Sequence, residues 1–277
     1  MRALVVAGLV CALAACAAPR PTERAGPHPS VVSLNPCADA ILAEVTAPGQ
    51  LLAVSHYSHD PRASSMPLGE ARRFPATGGT VEEIAALAPD MVVGDSFTSP
   101  ATRAALARMD ISFVALPIAS DVNSSIDQVR SLAGATGNVR RGEALVARIE
   151  ASLSAAAPPF GWRPRRAMVW QGGGLVAGDD SQIAQLLSRA GMPSAASARG
   201  LGQGAVLPLE AMLADPPELI LASGDPRSNE DRLLRHPALA GLKGVARARL
   251  EPGLFYCGGP SIPRAMARLV AIRKGLR

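Results

Sequence analysis

A sixteen-residue segment occurs twice in this chain and restricts its possible folds more than any other feature. Residues 80–95 are TVEEIAALAPDMVVGD and residues 208–223 are PLEAMLADPPELILAS, in register at an offset of 128 positions with three identities. Each copy has an acid at a helix start, a proline that ends the helix, and then an apolar strand. The repeat indicates two related α/β halves. A chance match between two common helix–proline–strand units is the alternative.

A long helical stretch separates the two copies. Residues 124–157 contain two helical segments with a break around Gly134 and Gly137, and the second segment begins at Val139. At a rise of 1.5 Å per residue this second helix spans about 27 Å, the width of a small domain. Apolar residues recur along it at intervals of four and form a stripe on one face: Leu145, Ile149 and Leu153.

These features predict an N-terminal lobe at residues 30–122, a helical linker at residues 123–157 and a C-terminal lobe at residues 158–277. Each lobe alternates strands and helices, which predicts a mainly parallel sheet with right-handed crossovers. Ligands of open α/β sheets bind beyond the carboxyl ends of the strands, so we expect a ligand cleft between the lobes. The loops expected to border it are residues 35–37, 56–60, 95–99, 171–174, 203–206 and 255–260.

The first 29 residues are expected to lie outside the folded protein. Residues 1–16 have an apolar run too short to span a bilayer, and they end in Leu-Ala-Ala-Cys, which resembles the lipobox of bacterial lipoproteins. Cys16 would then carry the lipid, and residues 17–29, which are rich in proline, would form a flexible tether. An ordinary secretory signal that contains Cys16 is the alternative. Either segment predicts an exported protein of the periplasm or cell envelope.

Composition and motifs exclude several functional classes. The net charge of +5 comes with scattered arginines and only 3% aromatic residues, which favours a solvated surface over a nucleic-acid partner. The sequence has no GxSxG, no phosphate-binding glycine-rich fingerprint and no HExxH, so we expect no catalytic residues.

Two cysteines remain after export, because Cys11 leaves with the signal and Cys16 is the lipid site. Cys37 follows the first strand of one half, and Cys257 follows the last strand of the other. They could form a disulfide between the lobes, bind a metal or haem together with His56 and His59, or pack as free thiols. A disulfide requires Cα atoms within about 7 Å, which the sequence cannot establish.

Several motifs are similar to those of one protein family. The chain resembles, over residues 31–275, the periplasmic binding proteins of ABC importers for vitamin B12, iron–siderophores and haem. Residues 31–36 are similar to the family's first strand and turn, and residues 54–58 to its second strand. The most specific likeness lies at residues 81–93, with a partner at Leu209-Glu210. Residues 258–264 are similar to the last loop and helix.

The resemblance implies two Rossmann-like lobes joined by one long helix, with the ligand bound in the cleft between them. The cargo would be a metal chelate, cobalamin or a ferric siderophore, that a monomer without cofactor or metal site of its own delivers to an ABC permease. Tyr57 is similar to a tyrosine that touches the corrinoid in the B12 protein. The full set of predicted ligand-binding residues is Pro36, Cys37, His56, Tyr57, Trp170, Tyr256 and Cys257.

The resemblance also implies a docking role for Glu82 and Glu210, one acid on each lobe, which would pair with arginines of the permease. A negative charge at a helix start is stabilised by the helix dipole, so both could instead be ordinary first-turn acids. Two other functions stay open. One is a haem or free-metal carrier that uses Tyr57, the two histidines and the cysteines, and the other is a cell-envelope enzyme or scaffold on the same fold.

Overall fold

The computed structural model of the protein describes residues 27–225 and 232–276. The predicted signal segment with Cys16 and most of the predicted tether lie outside the described residues. Within them, no helix is long and apolar enough to cross a membrane.

The N-terminal lobe contains a five-stranded parallel sheet with the strand order β3-β2-β1-β4-β5. Asn35 begins the first helix, because its side chain accepts hydrogen bonds from the backbone N–H groups of Cys37 and Ala38. The strands are β1 (Val31–Ser33), β2 (Leu51–Ser55), β3 (Ala76–Thr77), β4 (Met91–Asp95) and β5 (Ser112–Leu116). The helices are α1 (Pro36–Val45), α2 (Leu68–Ala71), α3 (Val81–Leu87) and α4 (Pro100–Arg108).

The linker consists of two helices, α5 (Val122–Ala135) and α6 (Val139–Ala155), which pack against each other. The break lies at Gly137, which has a φ of +73°, a backbone conformation that favours glycine. The prediction of two helical segments is therefore right, but Gly134 lies inside α5 and takes no part in the break. The predicted apolar stripe of α6 is buried.

The C-terminal lobe contains a smaller parallel sheet with the order β6-β7-β8. The sequence pattern predicts the last strand at residues 247–254, which is wrong at its end: the strand stops at Arg249, and a 3-10 turn begins at Pro252. The strands are β6 (Ala167–Gln171), β7 (Leu219–Ser223) and β8 (Ala246–Arg249). The helices are α7 (Gln182–Arg189), α8 (Leu209–Ala214), α9 (Pro237–Ala240) and α10 (Ser261–Gly275).

The sequence repeat is also a structural repeat. Helices α3 and α8 begin at equivalent positions of the repeat. Strands β4 and β7 both begin and end at equivalent positions. The residue before each strand has the same task in both lobes. Asp90 accepts a hydrogen bond from the Ser30 N–H at 2.7 Å, and Glu218 accepts one from the Arg166 N–H at 2.9 Å. Each acid thus fixes the residue at the entrance of the first strand of its lobe.

One hydrophobic core runs through both sheets and the linker. Helix α10 returns from the end of the chain and packs against α6 and α7, while α1 packs against α5 and α6. Because the core is continuous, the lobes cannot separate without exposing apolar surface. Its buried members come from the N-terminal lobe (Ile41, Leu42 and Val93), the linker (Leu132 and Ile149) and the C-terminal lobe (Leu186, Leu221 and Leu269).

A disulfide also joins the lobes. Cys37 in the first turn of α1 is bonded to Cys257, which precedes α10, with a Cα–Cα distance of 5.2 Å and 220 positions between them. This decides between the three alternatives left open by the sequence. The next residues of the loop are held as well. The Gly259 N–H donates to Ser125 Oγ at 2.6 Å, and a Cβ at Gly258 would collide with the same hydroxyl, so only glycine fits there.

Asp39 holds the turn after β2 in place from within the core. The carboxylate is fully buried and accepts hydrogen bonds from the Ser55 N–H at 2.9 Å and from the Ser58 hydroxyl at 2.6 Å. Burial raises the pKa of Asp39 from 3.8 to about 7, although hydrogen bonds from nearby serines oppose the shift. Residues 55–58 lead directly into the segment that begins at Asp60, so Asp39 positions the start of that segment.

Replacing both Cys37 and Cys257 by alanine should destabilise the protein by about 2–5 kcal/mol, because the bond restrains a very long loop in the unfolded chain. Thermal unfolding of wild type and variant, each with and without a thiol reductant, checks this. Reductant should lower the melting temperature of the wild type and leave that of the variant unchanged. Equal melting temperatures under all four conditions would show that the disulfide does not stabilise the fold.

The stability difference between wild type and Asp39→Asn should depend on pH. The pKa of Asp39 is raised in the folded protein. Its contribution to the free energy of unfolding is therefore fully present below the unfolded-state pKa of 3.8 and is lost as the pH rises to about 7. Urea unfolding between pH 4 and pH 8 should show the wild type losing up to about 4 kcal/mol relative to the variant. The exposed Asp127→Asn serves as control. A difference that stays constant with pH would contradict the assignment.

Candidate functional site

A cavity of about 1340 Å³ lies between the lobes. One wall, called the N-terminal wall, consists of residues 60–68 of the N-terminal lobe, which follow the turn held by Asp39. The other wall consists of the carboxyl ends of β6, β7 and β8 with the residues after them, as expected for an open parallel sheet. The volume exceeds the roughly 300–1,000 Å³ of ordinary small-molecule pockets, so the cavity can hold a large ligand.

The N-terminal wall is attached to the C-terminal lobe at two points. Ser65 Oγ accepts a hydrogen bond from the Cys257 N–H at 2.9 Å, and the Ser65 carbonyl accepts one from the Arg264 guanidinium of α10. The disulfide lies beside these contacts, since it includes Cys257. Bonds of this kind limit relative motion of the two walls, so the cavity is formed before a ligand enters.

The lining contains three arginines and three acids, and their pairing decides the electrostatics. Asp60 forms an ion pair with Arg62 at 3.3 Å, and hydrogen bonds from Arg62 lower the pKa of Asp60. Glu251 is paired at 3.2 Å with Arg268, which does not line the cavity. The arginines are Arg62, Arg249 and Arg264, and the acids are Asp60, Asp225 and Glu251.

Two arginines of the C-terminal wall have no carboxylate partner among the described residues. The Arg249 side chain is exposed at the carboxyl end of β8. Partial burial lowers the pKa of Arg264, whose guanidinium donates to the Ser65 carbonyl. Neither residue is among those predicted from the sequence to bind a ligand. Arg249 could have been found by ending β8 before Pro252, since the strand-end rule would then have placed it at the cleft.

A second cavity of about 330 Å³ adjoins the first. Gln171, Leu175 and Tyr256 line both cavities and therefore form the boundary between them. The smaller cavity continues toward Ile118 after β5 and toward Gly204 in the C-terminal lobe.

Of the predicted ligand-binding residues, Tyr256 and Cys257 line a cavity. Tyr256 is 44% exposed and borders both, whereas Cys257 borders the smaller one and is bonded to Cys37. Pro36 and Cys37, in the first turn of α1, are absent from both linings. Their predicted contacts with a ligand stay predictions.

His56 and Tyr57 lie in a 3-10 turn directly after β2. Their ring centroids are 4.1 Å apart, and Tyr57 is 52% exposed. Neither residue lines the two cavities, so their predicted ligand contacts also stay predictions.

The prediction that Trp170 contacts the ligand is wrong. Its side chain is fully buried, and its indole N–H donates to the Leu207 carbonyl at 3.2 Å. Strand β6 is covered on both faces of its sheet, so the side chains on both faces are buried. Trp170 packs in the core between the sheet and the helices of the C-terminal lobe. The position of Trp170 near the end of β6 therefore does not place its side chain at the cleft.

The alternative in which Cys37 and Cys257 bind a metal together with His56 and His59 does not fit the structure. The disulfide leaves no thiolate to bind a metal, and His59 Nε2 lies 3.1 Å from the Ala71 carbonyl and 3.2 Å from that of Phe74. Among the described residues, no group of three or more histidines, cysteines and acids is arranged to hold a metal ion.

Glu82 and Glu210 occupy equivalent positions in the first turns of α3 and α8 and are both exposed. In α3 the neighbouring Glu83 forms the capping box with Thr80, so Glu82 is not needed for the cap. Neither the Glu82 nor the Glu210 side chain forms a hydrogen bond or ion pair with another described residue. Both carboxylates are therefore available to an external partner.

Comparison with solved structures shows a common fold. The periplasmic haem-binding protein RhuT from Roseiflexus sp. RS-1 is 20% identical with a TM-score of 0.66, over 88% of this chain and 96% of that one. The periplasmic haem-binding protein HutB of Vibrio cholerae is 18% identical with a TM-score of 0.69, over 89% and 98%. The periplasmic vitamin B12-binding protein BtuF of Vibrio cholerae is 17% identical with a TM-score of 0.63, over 90% and 97%.

Identities this low establish the fold and leave the ligand open. No curated protein matches the sequence in a direct comparison. A family model described as periplasmic binding protein does match, and it spans residues 31–250, from the first strand to the end of the last strand. Since that match covers well over half of the 277 residues, the chain belongs to the periplasmic binding protein family.

Proposed function

We propose that this protein is a lipid-anchored, monomeric substrate-binding protein of an ABC importer and not an enzyme. It captures a metal chelate, cobalamin or a ferric siderophore, in the cavity between the lobes and delivers it to the permease. The observation that carries the proposal is the cavity of about 1340 Å³ at the carboxyl ends of the C-terminal strands. Membership of a family of periplasmic binding proteins supports it.

The shape and lining of the cavity suit a large chelate. Tyr256 presents an aromatic surface on which a flat ligand can lie, and the lining arginines and serines supply hydrogen-bond donors. Because the shared core and the disulfide hold the walls, little ordering free energy is lost on binding.

Haem is a second candidate. Two of the three similar structures described above are haem-binding proteins by name, and this is the specific observation in its favour. A free metal ion has less support, since the described residues offer no cluster of ligands to hold one.

The proposal predicts saturable binding of one chelate to residues 17–277. Cyanocobalamin, haemin, ferric siderophores and Zn²⁺ are titrated, and binding is followed by tyrosine and tryptophan fluorescence and by calorimetry. One chelate should bind at one per chain with a Kd of about 1 μM or tighter. Tyr256→Ala should weaken that binding, while Trp170→Phe, in the core, should leave it unchanged. Absence of binding by every chelate would overturn the proposal.

We infer that Glu82 and Glu210 dock the protein on its permease, as one exposed acid on each lobe. Replacing both by glutamine should reduce chelate uptake by cells at least about tenfold, because paired charges fix orientation and speed encounter. Affinity of the purified protein for the chelate should not change, and Glu150→Gln on α6 is the matched control. Normal uptake by the double variant, or loss of chelate binding, would rule out a docking role.

The anchor is tested separately through Cys16. The Cys16→Ser variant should move from the membrane fraction to the soluble fraction and should no longer incorporate labelled palmitate, since the acyl chains are attached to this residue. Cys11→Ser, within the same segment, should behave as the wild type. Recovery of wild-type protein without lipid would leave only a secretory signal.

A further inference from the structure

We propose that the cargo is an anionic, amphipathic chelate whose carboxylates bind Arg249 and Arg264 and whose apolar surface passes Tyr256 toward Leu175 and Ile118. The proposal rests on the proposed function and narrows it to one chemical class. It also assigns Arg249 as a residue that determines specificity.

Ion pairs within the larger cavity determine which charges are available to a ligand. Asp60 is paired with Arg62 and Glu251 with Arg268, while Asp225, which has an interaction of its own, also lines the cavity. What remains are Arg249 and Arg264, which have no ion pair with a described residue although both line the cavity. Arg249 has no such pair, and the charge of Glu44 acts on Arg264 only from beyond ion-pair distance. Two guanidinium groups without an ion pair on one wall attract an acidic ligand and match the planar, bidentate geometry of carboxylates.

The two arginines differ in how firmly their guanidinium groups are held, and each is therefore expected to bind the ligand in a different way. The guanidinium of Arg264 is held against the Ser65 carbonyl and partly shielded from water, so it is a fixed donor at the junction of the walls. Arg249 extends from the last residue of β8 without a partner and can adjust to the ligand. A ligand carrying two acidic groups would use both.

The smaller cavity presents exposed apolar side chains among polar ones such as Ser120, Gln182 and Gln203. Ile118 is 73% exposed and Leu175 is 41% exposed, and both line it. Val206, 57% exposed, is bridged to Leu175 through the backbone and extends the same apolar surface. Large apolar side chains exposed together at a cleft gain free energy when a ligand covers them.

The boundary residue connects the two halves into one site. Tyr256 borders both cavities, so a flat ligand lying on its ring has one edge facing the arginines and the other facing the apolar side chains. Cobalamin carries neutral amides around its rim and would leave both guanidinium groups without a counter-charge. A chelate with carboxylates on one edge and hydrocarbon on the other satisfies both halves.

The test uses five probes that separate charge from apolar surface. Haemin has two carboxylates on a flat hydrocarbon ring, and haemin dimethyl ester has the same ring without the charge. Ferric dicitrate has carboxylates without an apolar face, and ferrioxamine B and cyanocobalamin lack carboxylates. Affinities are measured for the wild type, Arg249→Gln, Leu175→Asn and, as a matched control, Arg108→Gln on the exposed face of α4, with melting temperatures confirming that each variant is folded.

The wild type should bind haemin at least about tenfold more tightly than its dimethyl ester, as expected for loss of a charge-assisted hydrogen bond. Arg249→Gln should weaken haemin and ferric dicitrate but not the ester, whereas Leu175→Asn should weaken haemin but not ferric dicitrate. Arg108→Gln should change none of them.

Equal affinity for haemin and its ester would overturn the inference, as would an effect of Arg249→Gln that is the same on both. Preference for cyanocobalamin or ferrioxamine B over both acidic probes would overturn it while leaving the proposed function intact. Failure of all five probes to bind would remove both together.

Discussion

Apolar side chains from both sheets and from the linker are buried in one continuous core, and the geometry of the cleft depends on that burial. A protein whose lobes had separate cores could open and close about the linker at little cost. Here such a motion would expose residues such as Ile149 and Leu186 to water. The disulfide and the bonds at Ser65 act in the same direction. Recognition therefore depends on the shape and charge of a preformed cavity.

The sequence predicted the architecture well because its evidence was periodic. The apolar stripe of α6 recurs at a spacing that only a helix satisfies. The alternation of strands and helices, and the repeat around Glu82 and Glu210, indicate two α/β halves. Element boundaries were predicted less reliably. The error at β8 arose because residues 250–254 were assigned to the strand although Pro252 cannot donate to a ladder.

The site was predicted less well, for a physical reason. Which strand-end residue faces the cleft depends on pleat and packing, so Trp170 and Tyr256, both near strand ends, could not be told apart by sequence and turned out buried and exposed respectively. Partners distant in sequence were equally hidden. The ion pair of Glu251 with Arg268 in α10, and the approach of Cys37 to Cys257, exist only once the chain has folded.

The disulfide across 220 positions also has a consequence for biosynthesis. Cys37 is made 220 residues before Cys257, so a growing chain cannot complete this crosslink, or the core that α10 joins, until the whole intervening stretch has been synthesised. Contacts of such sequence separation form slowly. Export as an unfolded thread requires a chain that has not yet folded, and a topology that closes late favours that state.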